Sequence, residues 1–543
     1  MSLSGIEKIG LTIVGTVAGA IAGSAVPVVG TMAGAFWGFN IAQGVIEYDS
    51  YRLQKKMQSQ STASKQQGIQ TNVTSTAGSM PIIYGETKVG VKIVDIRQDP
   101  SDVNVLAIAG AFAVAPDGGN ATAQQGIQGV ARVYFDEKLA ITGPTIGAND
   151  ASDNPRSDGV QSWLGTAGGT FGSNLWCEYM IHDGDDSQTY DYKLNDTFSS
   201  SGTASGAWGT QTRGTGIAYI VLWLHYKDDV FVNGIPQVTL RVQGNKVADC
   251  ADLTADVAYS TNPAICIYDF MTSKRYGMGI PRYMMDAGST GSRFGVAKAH
   301  CDESVTVSGP GDLTNRYTCN GFLDSSASPM ENLQQLLTSC QGRIVFSDGK
   351  YRLIQRKTTS AETFELNTDN IVGQWSFTRA GIEDTANIVN AKFVDLAQNY
   401  QPMDITWPQP DNDNAYLTLD AGFKNELNID LPFTTDAYMA HMIAAQTMLE
   451  TRADITCTVV AQREALKLEV GQVVNVNHPT PNFTDKTFWV EQIRVRPDGL
   501  VQLALKEYVA ATYTVPVAEL KVAMVTHDTP GRYQDDVDPD PQS

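Results

Sequence analysis

Catalytic wording is missing from this chain of 543 residues. Only six histidines occur, none in an HxxxH or HExxH arrangement, and no GxSxG, phosphate-binding loop or GxGxxG context is present. The seven cysteines stand at 177, 250, 266, 301, 319, 340 and 457. They form no CxxC pair, have no histidine at metal-ligand spacing and are odd in number, so reduced structural thiols are expected rather than a zinc site or a disulfide framework. His182-Asp183-Gly184-Asp185-Asp186 and Asp411–Asn414 lack the pattern of a calcium loop and read as solvated acidic turns. No catalytic, cofactor-binding or metal-ligating residue is assigned, and no cofactor is expected.

Positive charge is also short. Lysine and arginine number 39 against 59 aspartates and glutamates, giving a net charge of −20. That excludes grip on nucleic acid through a basic surface. A like-charged wall repels phosphates and lets nucleic acid slide past, so the acidity suits a conduit as well as it suits plain solubility.

The N-terminus lacks charge altogether: from Ile9 to Ile46 there is no Asp, Glu, Lys or Arg. Within that run Gly15, Gly19 and Gly23 repeat every four residues, as do Gly30, Gly34 and Gly38. Each trio falls on one helical face, where missing side chains let another helix approach closely. Pro27 divides the run into halves of about 18 residues, at the lower limit for independent membrane spans. A glycine-zipper helical hairpin or one kinked span is expected. Ala22–Ala25 is cleavage-like, but the single Lys8 makes a poor signal-peptide n-region. Membrane insertion, packing against copies of itself and burial in an assembly all remain open.

What is present points to a multidomain globular chain: 42% hydrophobic residues, 49 glycines, and a length fitting roughly three or four domains. Residues 1–47 form the apolar segment, and 48–79, rich in Gln, Ser, Thr and Lys, read as a flexible linker. A β-rich domain is expected over 80–250, beginning with the alternation Val89, Val91, Ile93. Further strands are read at Val103–Val114, Gly129–Leu139, Gly216–His225 and Val238–Val242, the last ending at Gly244. A loop-rich insertion facing solvent covers 140–215. An α+β module over 251–375 holds a strand at Arg316–Leu323, an amphipathic helix at Pro329–Ser339 and a hairpin around Asp348-Gly349. A helix at Thr435–Thr451 and a small β-barrel, including Leu466–His478, Phe488–Val495 and Leu500–Tyr508, fill 376–515. An acidic tail occupies 516–543.

One segment is more informative than the rest: Asn262-Pro263-Ala-Ile-Cys-Ile-Tyr-Asp269-Phe-Met-Thr-Ser-Lys-Arg275-Tyr276-Gly277-Met-Gly279-Ile-Pro281. Asn262-Pro263 is a helix start, because proline presets φ and suits the first helical position. Ile265, Tyr268, Asp269 and Thr272 recur at helical spacing, predicting one apolar face with a polar edge. Arg275 and Tyr276-Gly277 fall where the helix should stop, with glycine available for positive φ. Gly279-Ile280-Pro281 continues into an extended stretch.

This string resembles the NPAxxxxDLLTxxRYGxGIP signature of phage tail-tip hub proteins, the family of the lambda-like tail-tip attachment protein. Met80–Gly90 is similar to the family's LPxxYGxxRVGG opening, from which Glu86 and Lys88 depart. Pro236–Val247 resembles the strand that precedes the signature, Ala297–Val305 the YCDExV element, and Leu466–His478 the L-x-x-GDVV-x-V strand, with Gln472 in place of Asp. The likeness runs from about residue 80 to 515, in the short form without fibronectin-like and receptor-binding regions. It implies an α+β, mainly β chain built of β-barrel and α+β hub modules in a trimeric ring in the virion tail tip. It also implies partners: its own copies, tail-tube, tip and fibre proteins, the tape-measure protein, DNA in passage without specific binding, and host membrane through residues 9–46. A receptor-binding or cell-wall-degrading tip protein is the alternative, with its activity in 140–215.

Overall fold

The computed structural model describes residues 73–74 and 79–514, apart from 103, 117–125, 145, 147–159, 161–175, 200–207, 226–230, 232–234, 306–314, 374 and 410–413. The glycine-zipper segment, most of the linker, Asp411–Asp413 and the acidic tail lie outside the described residues. The chain is α+β and mainly β, as the sequence led us to expect.

Two sheets share the first core. One has the strand order Val73–Thr74, Lys92–Gln98, Val105–Val114, Ile217–His225, Cys177–His182. In the other, Val238–Val247 lies between Ile127–Phe135 and Glu86–Gly90, with Lys138–Thr142 and Ala258–Tyr259 completing it. The nearly unbroken apolar runs of 105–114 and 217–225 follow from burial on both faces. Ile108, Phe112, Ile220 and Leu222 turn toward the second sheet, while Ala107, Ala109, Val221 and Trp223 pack under the helix Tyr192–Ser199 through Leu194 and Phe198.

A second core gathers the helices: the signature helix Pro263–Thr272, Arg293–Cys301, Pro329–Thr338 and Ala437–Arg452. The three-stranded sheet Gln401–Trp407, Ile388–Asp395, Glu426–Leu431 closes it. The opening strand Pro81–Tyr84 pairs with Gly321–Asp324, with Tyr84 opposite Gly321, so distant segments are interleaved. A third core lies in the six-stranded sheet ordered Glu365–Leu366, Val473–His478, Phe483–Val495, Val501–Glu507, Ile455–Ala461, Ser376–Arg379. Alternate residues of 455–461 and 501–507 point into it, which is the period-2 signature of strands.

Several expectations are corrected. The expected β-barrel is an open sheet: among the described residues no strand pairing joins its two end strands. Trp375, Phe377, Phe483 and His478 instead form an aromatic cluster where the sheet curls, with Trp375 and His478 ring centroids 4.7 Å apart. Gly129–Leu139 is not one strand but two, because Asp136 and Glu137 take φ of 49° and 65° and turn the chain. The 238–247 strand runs through Gly244, where a Cβ would stand 2.2 Å from the Ile83 carbonyl oxygen, so glycine there serves close backbone approach rather than a turn. In Arg316–Leu323 only the end is strand, and in Leu466–His478 the strand begins at Val473 after a turn over Arg463–Lys467. The 140–215 region does not merely face solvent. Its strand Cys177–His182 is an almost fully buried edge of the first sheet.

Candidate functional site

The signature helix is more deeply buried than its sequence suggests. Every residue from Pro263 to Tyr268, with Phe270 and Met271, is buried, so the helix has no solvent face of the kind that the one-sided pattern predicted. Other helices and the opening strand surround it. Asn262 caps it twice over: its side-chain oxygen accepts from Ala264 N at 2.9 Å, and its Nδ2 donates to Lys298 O (3.1 Å) and Asp302 Oδ1 (2.8 Å). One asparagine thus satisfies the start of the signature helix and the end of helix 293–301. Pro263 takes the first helical position, where no amide is needed.

At the centre, Asp269 Oδ2 accepts from two phenols, Tyr84 at 2.7 Å and Tyr276 at 2.6 Å. Asn245 Nδ2 reaches the Tyr276 hydroxyl at 3.3 Å. Burial, and then the Asp269 carboxylate, hold both phenols far above their ordinary range, so each remains a donor. Charge-assisted bonds of this kind are stronger than neutral ones. They join the opening strand, the strand that precedes the signature, the helix and the loop after it. Tyr84 and Asn245 were not among the expected site residues. Tyr84 stood in the hub-like opening string, but nothing in its spacing pointed to a carboxylate 185 residues away.

The exit from the helix is built from backbone. Met278 N donates to Phe270 O (3.0 Å), Gly279 N to Ser273 O (2.9 Å) and Ile280 N to Met271 O (2.9 Å), so the last carbonyls of the helix are satisfied. Positive φ belongs to Gly279, at 66°, and not to Gly277 as the stop signal led us to expect. Gly277 is required for another reason: a Cβ there would lie 1.9 Å from Phe270 O. Arg275 lies beyond the helix rather than in its last turn. Its guanidinium donates to Ala115 O (3.2 Å), Pro116 O (2.8 Å) and Asp186 Oδ1 (2.7 Å), binding the signature to the first sheet. Gly216 leaves room for it, since a Cβ there would approach the guanidinium at 3.0 Å. Pro281 opens a single turn at Arg282–Met284.

Asp186 belongs to the acidic stretch, which is not a solvated turn. Asp183 and Asp185 are buried, and Asp185 Oδ1 caps Ser187 N at 2.7 Å. Gln188 knits the loop together by accepting from Gly184 N and donating to Arg213 O. His182 Nε2 lies 3.0 Å from Asp191 Oδ2 and its ring stacks on Tyr219. Among the described residues no group of three or more His, Cys, Asp or Glu is placed to hold a metal ion. All seven cysteines are buried and free. No helix among the described residues is long and apolar enough to cross a membrane, and residues 9–46 lie outside them.

The departures from the hub-like pattern are each accommodated. Glu86 accepts from Arg241 Nε (2.6 Å) and from the Tyr400 hydroxyl (2.8 Å), and Lys88 pairs with Glu137. Gln472 accepts from Glu469 N at 2.6 Å, doing the work of a turn-capping aspartate.

Comparison with known proteins agrees with this architecture. Residues 328–493 match the model of a family described as putative phage tail protein. Baseplate hub protein pb3 of Escherichia phage T5 is 25% identical over 289 residues, which is 50% of this chain and 30% of that protein. Tip attachment protein J of Escherichia phage SECphi27 is 23% identical over 152 residues, 28% of this chain and 12% of that protein. In fold, the chain resembles a chain in the virion of a native gene transfer agent particle, with a TM-score of 0.51, 18% identity and coverage of 82% of this chain and 88% of that one.

These matches support a phage tail-tip protein, as the resemblance implied. The chain spans less than a third of the length of the curated relatives it matches.

Proposed function

We propose that this chain is the structural hub of a phage tail tip, a homotrimer that closes the distal end of the tail tube and opens for DNA passage. Similarity to a baseplate hub protein over half of the chain carries this reading. The buried signature clamp supports it. A carboxylate shared by two phenols, with an arginine bound to carbonyls of another sheet, is an arrangement for rigidity and offers no exposed nucleophile or acid–base pair. The net charge of −20 suits a bore past which phosphates must slide.

The partners in this reading are its own copies, tail-tube, tip and fibre proteins, and the tape-measure protein. Large apolar side chains left in water fit a chain made for assembly: Leu419 is 75% exposed and Phe423 71%. They flank a turn fixed from beneath by the pairing of Asp420 with Arg452 and Asn387. Residues 9–46 would plug the channel or enter the host membrane, the linker 48–79 setting their reach. The modules over 80–250, 251–375 and 376–515 would form the body of the ring, with the role of the hub mechanical and no cofactor used.

Electron cryomicroscopy of purified virus particles tests the proposal. Three copies about the tail axis at the distal tip are expected. A peripheral position, or a copy number unrelated to threefold symmetry, would overturn it in favour of a receptor-binding or wall-degrading role.

A further inference from the structure

The six-stranded sheet has its own core, which shares no buried residue with the helical core beside it. The seam between the two holds a cavity and several ion pairs. Val473 and Trp489, on the sheet, cluster with Tyr508 and Tyr513, which follow the strand Val501–Glu507. Val473 and Trp489, with Val296, Ala297 and Leu353 opposite, line a cavity of about 120 Å³ that also takes in Arg293, Gln355, Lys357 and Glu362. Ile354 packs against Gly471 across the seam, where a Cβ would stand 2.6 Å from Ile354.

Ions also bridge the seam. Arg356 donates to Glu450 at the end of the long helix (2.7 Å) and to Glu491 in the sheet (2.6 Å). Arg343, from the hairpin Gly342–Ser347/Lys350–Gln355, binds the same Glu491 at 2.9 Å. Lys506 faces this cluster from the neighbouring strand. On the other side of the cavity, Arg293 and Arg352 converge on Glu469, with Arg352 also paired to Asp286. Arg356, Glu450 and Glu491 keep 16%, 21% and 18% of their side-chain surface exposed, and Arg293 and Glu469 keep 36% and 38%, so salt reaches both clusters, the second more freely. A partly buried ionic junction depends on every member being paired, since removing one leaves a desolvated charge alone.

We propose that the six-stranded sheet is a separately moving body, latched to the helical core by the Arg343–Arg356–Glu450–Glu491 cluster and the Arg293–Arg352–Glu469 fork. Screening or neutralising these charges releases it. This rests on the two cores and the ions between them, and not on the hub reading. The segment 356–364 crosses the seam with Thr358, Ser360, Glu362 and Thr363 already exposed, while its ion pairs hold Arg356 in, so opening the latch frees the chain at 356–357. Its residues Arg356 and Lys357 are also trypsin sites.

Limited trypsin digestion of the full chain therefore reports the latch, with cleavage after the exposed Lys424 as internal reference. Salt is raised from about 0.01 M to about 1 M, which shortens the screening length from roughly 30 Å to roughly 3 Å. The ratio of cleavage at 356–357 to cleavage at 424 should then rise severalfold. Glu491→Gln should raise it at low salt. Asp404→Asn, which removes only the exposed pair with Lys392, should leave it unchanged. A ratio independent of salt would overturn the proposal, as would an equal rise with Asp404→Asn. Should Glu491→Gln fail to fold, the salt series on the unaltered chain decides. The position of the chain in virions would still be settled separately by imaging.

Discussion

Tyr84 and Asp269 lie 185 residues apart in sequence and 2.7 Å apart in space, joined through a phenol that donates to a carboxylate. The second phenol on that oxygen, Tyr276, makes the carboxylate the meeting point of three segments. Asp269→Ala would leave both phenols without their acceptor, and an unsatisfied buried donor costs about 1–3 kcal/mol. Tyr276→Phe removes one donor and leaves the Tyr84 bond, so the expected cost is nearer 1 kcal/mol. Urea unfolding of the two variants should rank them in that order. Equal stability of Asp269→Ala and the unaltered chain would remove the clamp from the account.

The two signature glycines should respond differently to alanine. Gly277→Ala drives a methyl into the Phe270 carbonyl, with backbone on both sides and no flexible end to yield. Gly279→Ala meets only backbone strain at φ 66°, with the nearest atom 4.0 Å away. The second should cost on the order of 1–2 kcal/mol. The first should cost more, because the helix exit itself must shift. Thermal unfolding that places Gly279→Ala below Gly277→Ala would contradict this assignment.

The thiols should be silent in the folded protein. All seven cysteines are buried, and burial pushes Cys250 and Cys457 up to about 12. The thiolate is the reactive form, so a chromogenic disulfide reagent at neutral pH should label none of them rapidly. All seven should react once the chain is denatured. Prompt labelling of even one in the native state would show an opening that the packing does not suggest.

Much of the strand and helix content was legible because its causes are local. Asn262-Pro263 starts a helix wherever it stands before an apolar run, and Asp348-Gly349 turns a hairpin by its own backbone preferences. What the sequence could not show was set by distant partners. Val238–Val247 runs through Gly244 because Ile83 O presses against it, and the polar edge of the signature helix is half-buried because Tyr84 of the opening strand and Tyr276 of the following loop meet at Asp269. The shared carboxylate at Asp269 was likewise illegible, since Tyr84, Asn245 and Tyr276 come together only in the folded chain. Barrel closure failed as an expectation for a similar reason: alternation in 455–461 and 501–507 shows which face is buried, but not whether the end strands meet.

Acid should weaken the fold in two stages, and the sign follows from which state binds protons. Burial lowers His441 from 6.5 to about 4, while its ring packs against Trp407. Between those values the unfolded chain takes up a proton that the folded chain refuses, so stability is full above 6.5 and falls as pH drops toward 4. The loss is at most about 3 kcal/mol from this group. Glu491 goes from 4.5 to about 2: desolvation, the largest influence, raises it, but Arg343 and Arg356 together outweigh that. Its contribution is present above 4.5 and disappears as pH falls toward 2. Urea unfolding from pH 7 downward should show the first decline in the unaltered chain, and His441→Leu should flatten it between 6.5 and 4 while leaving the lower stage in place. An unchanged slope in His441→Leu would mean that another group, such as His300, whose imidazole burial also lowers, sets the upper stage.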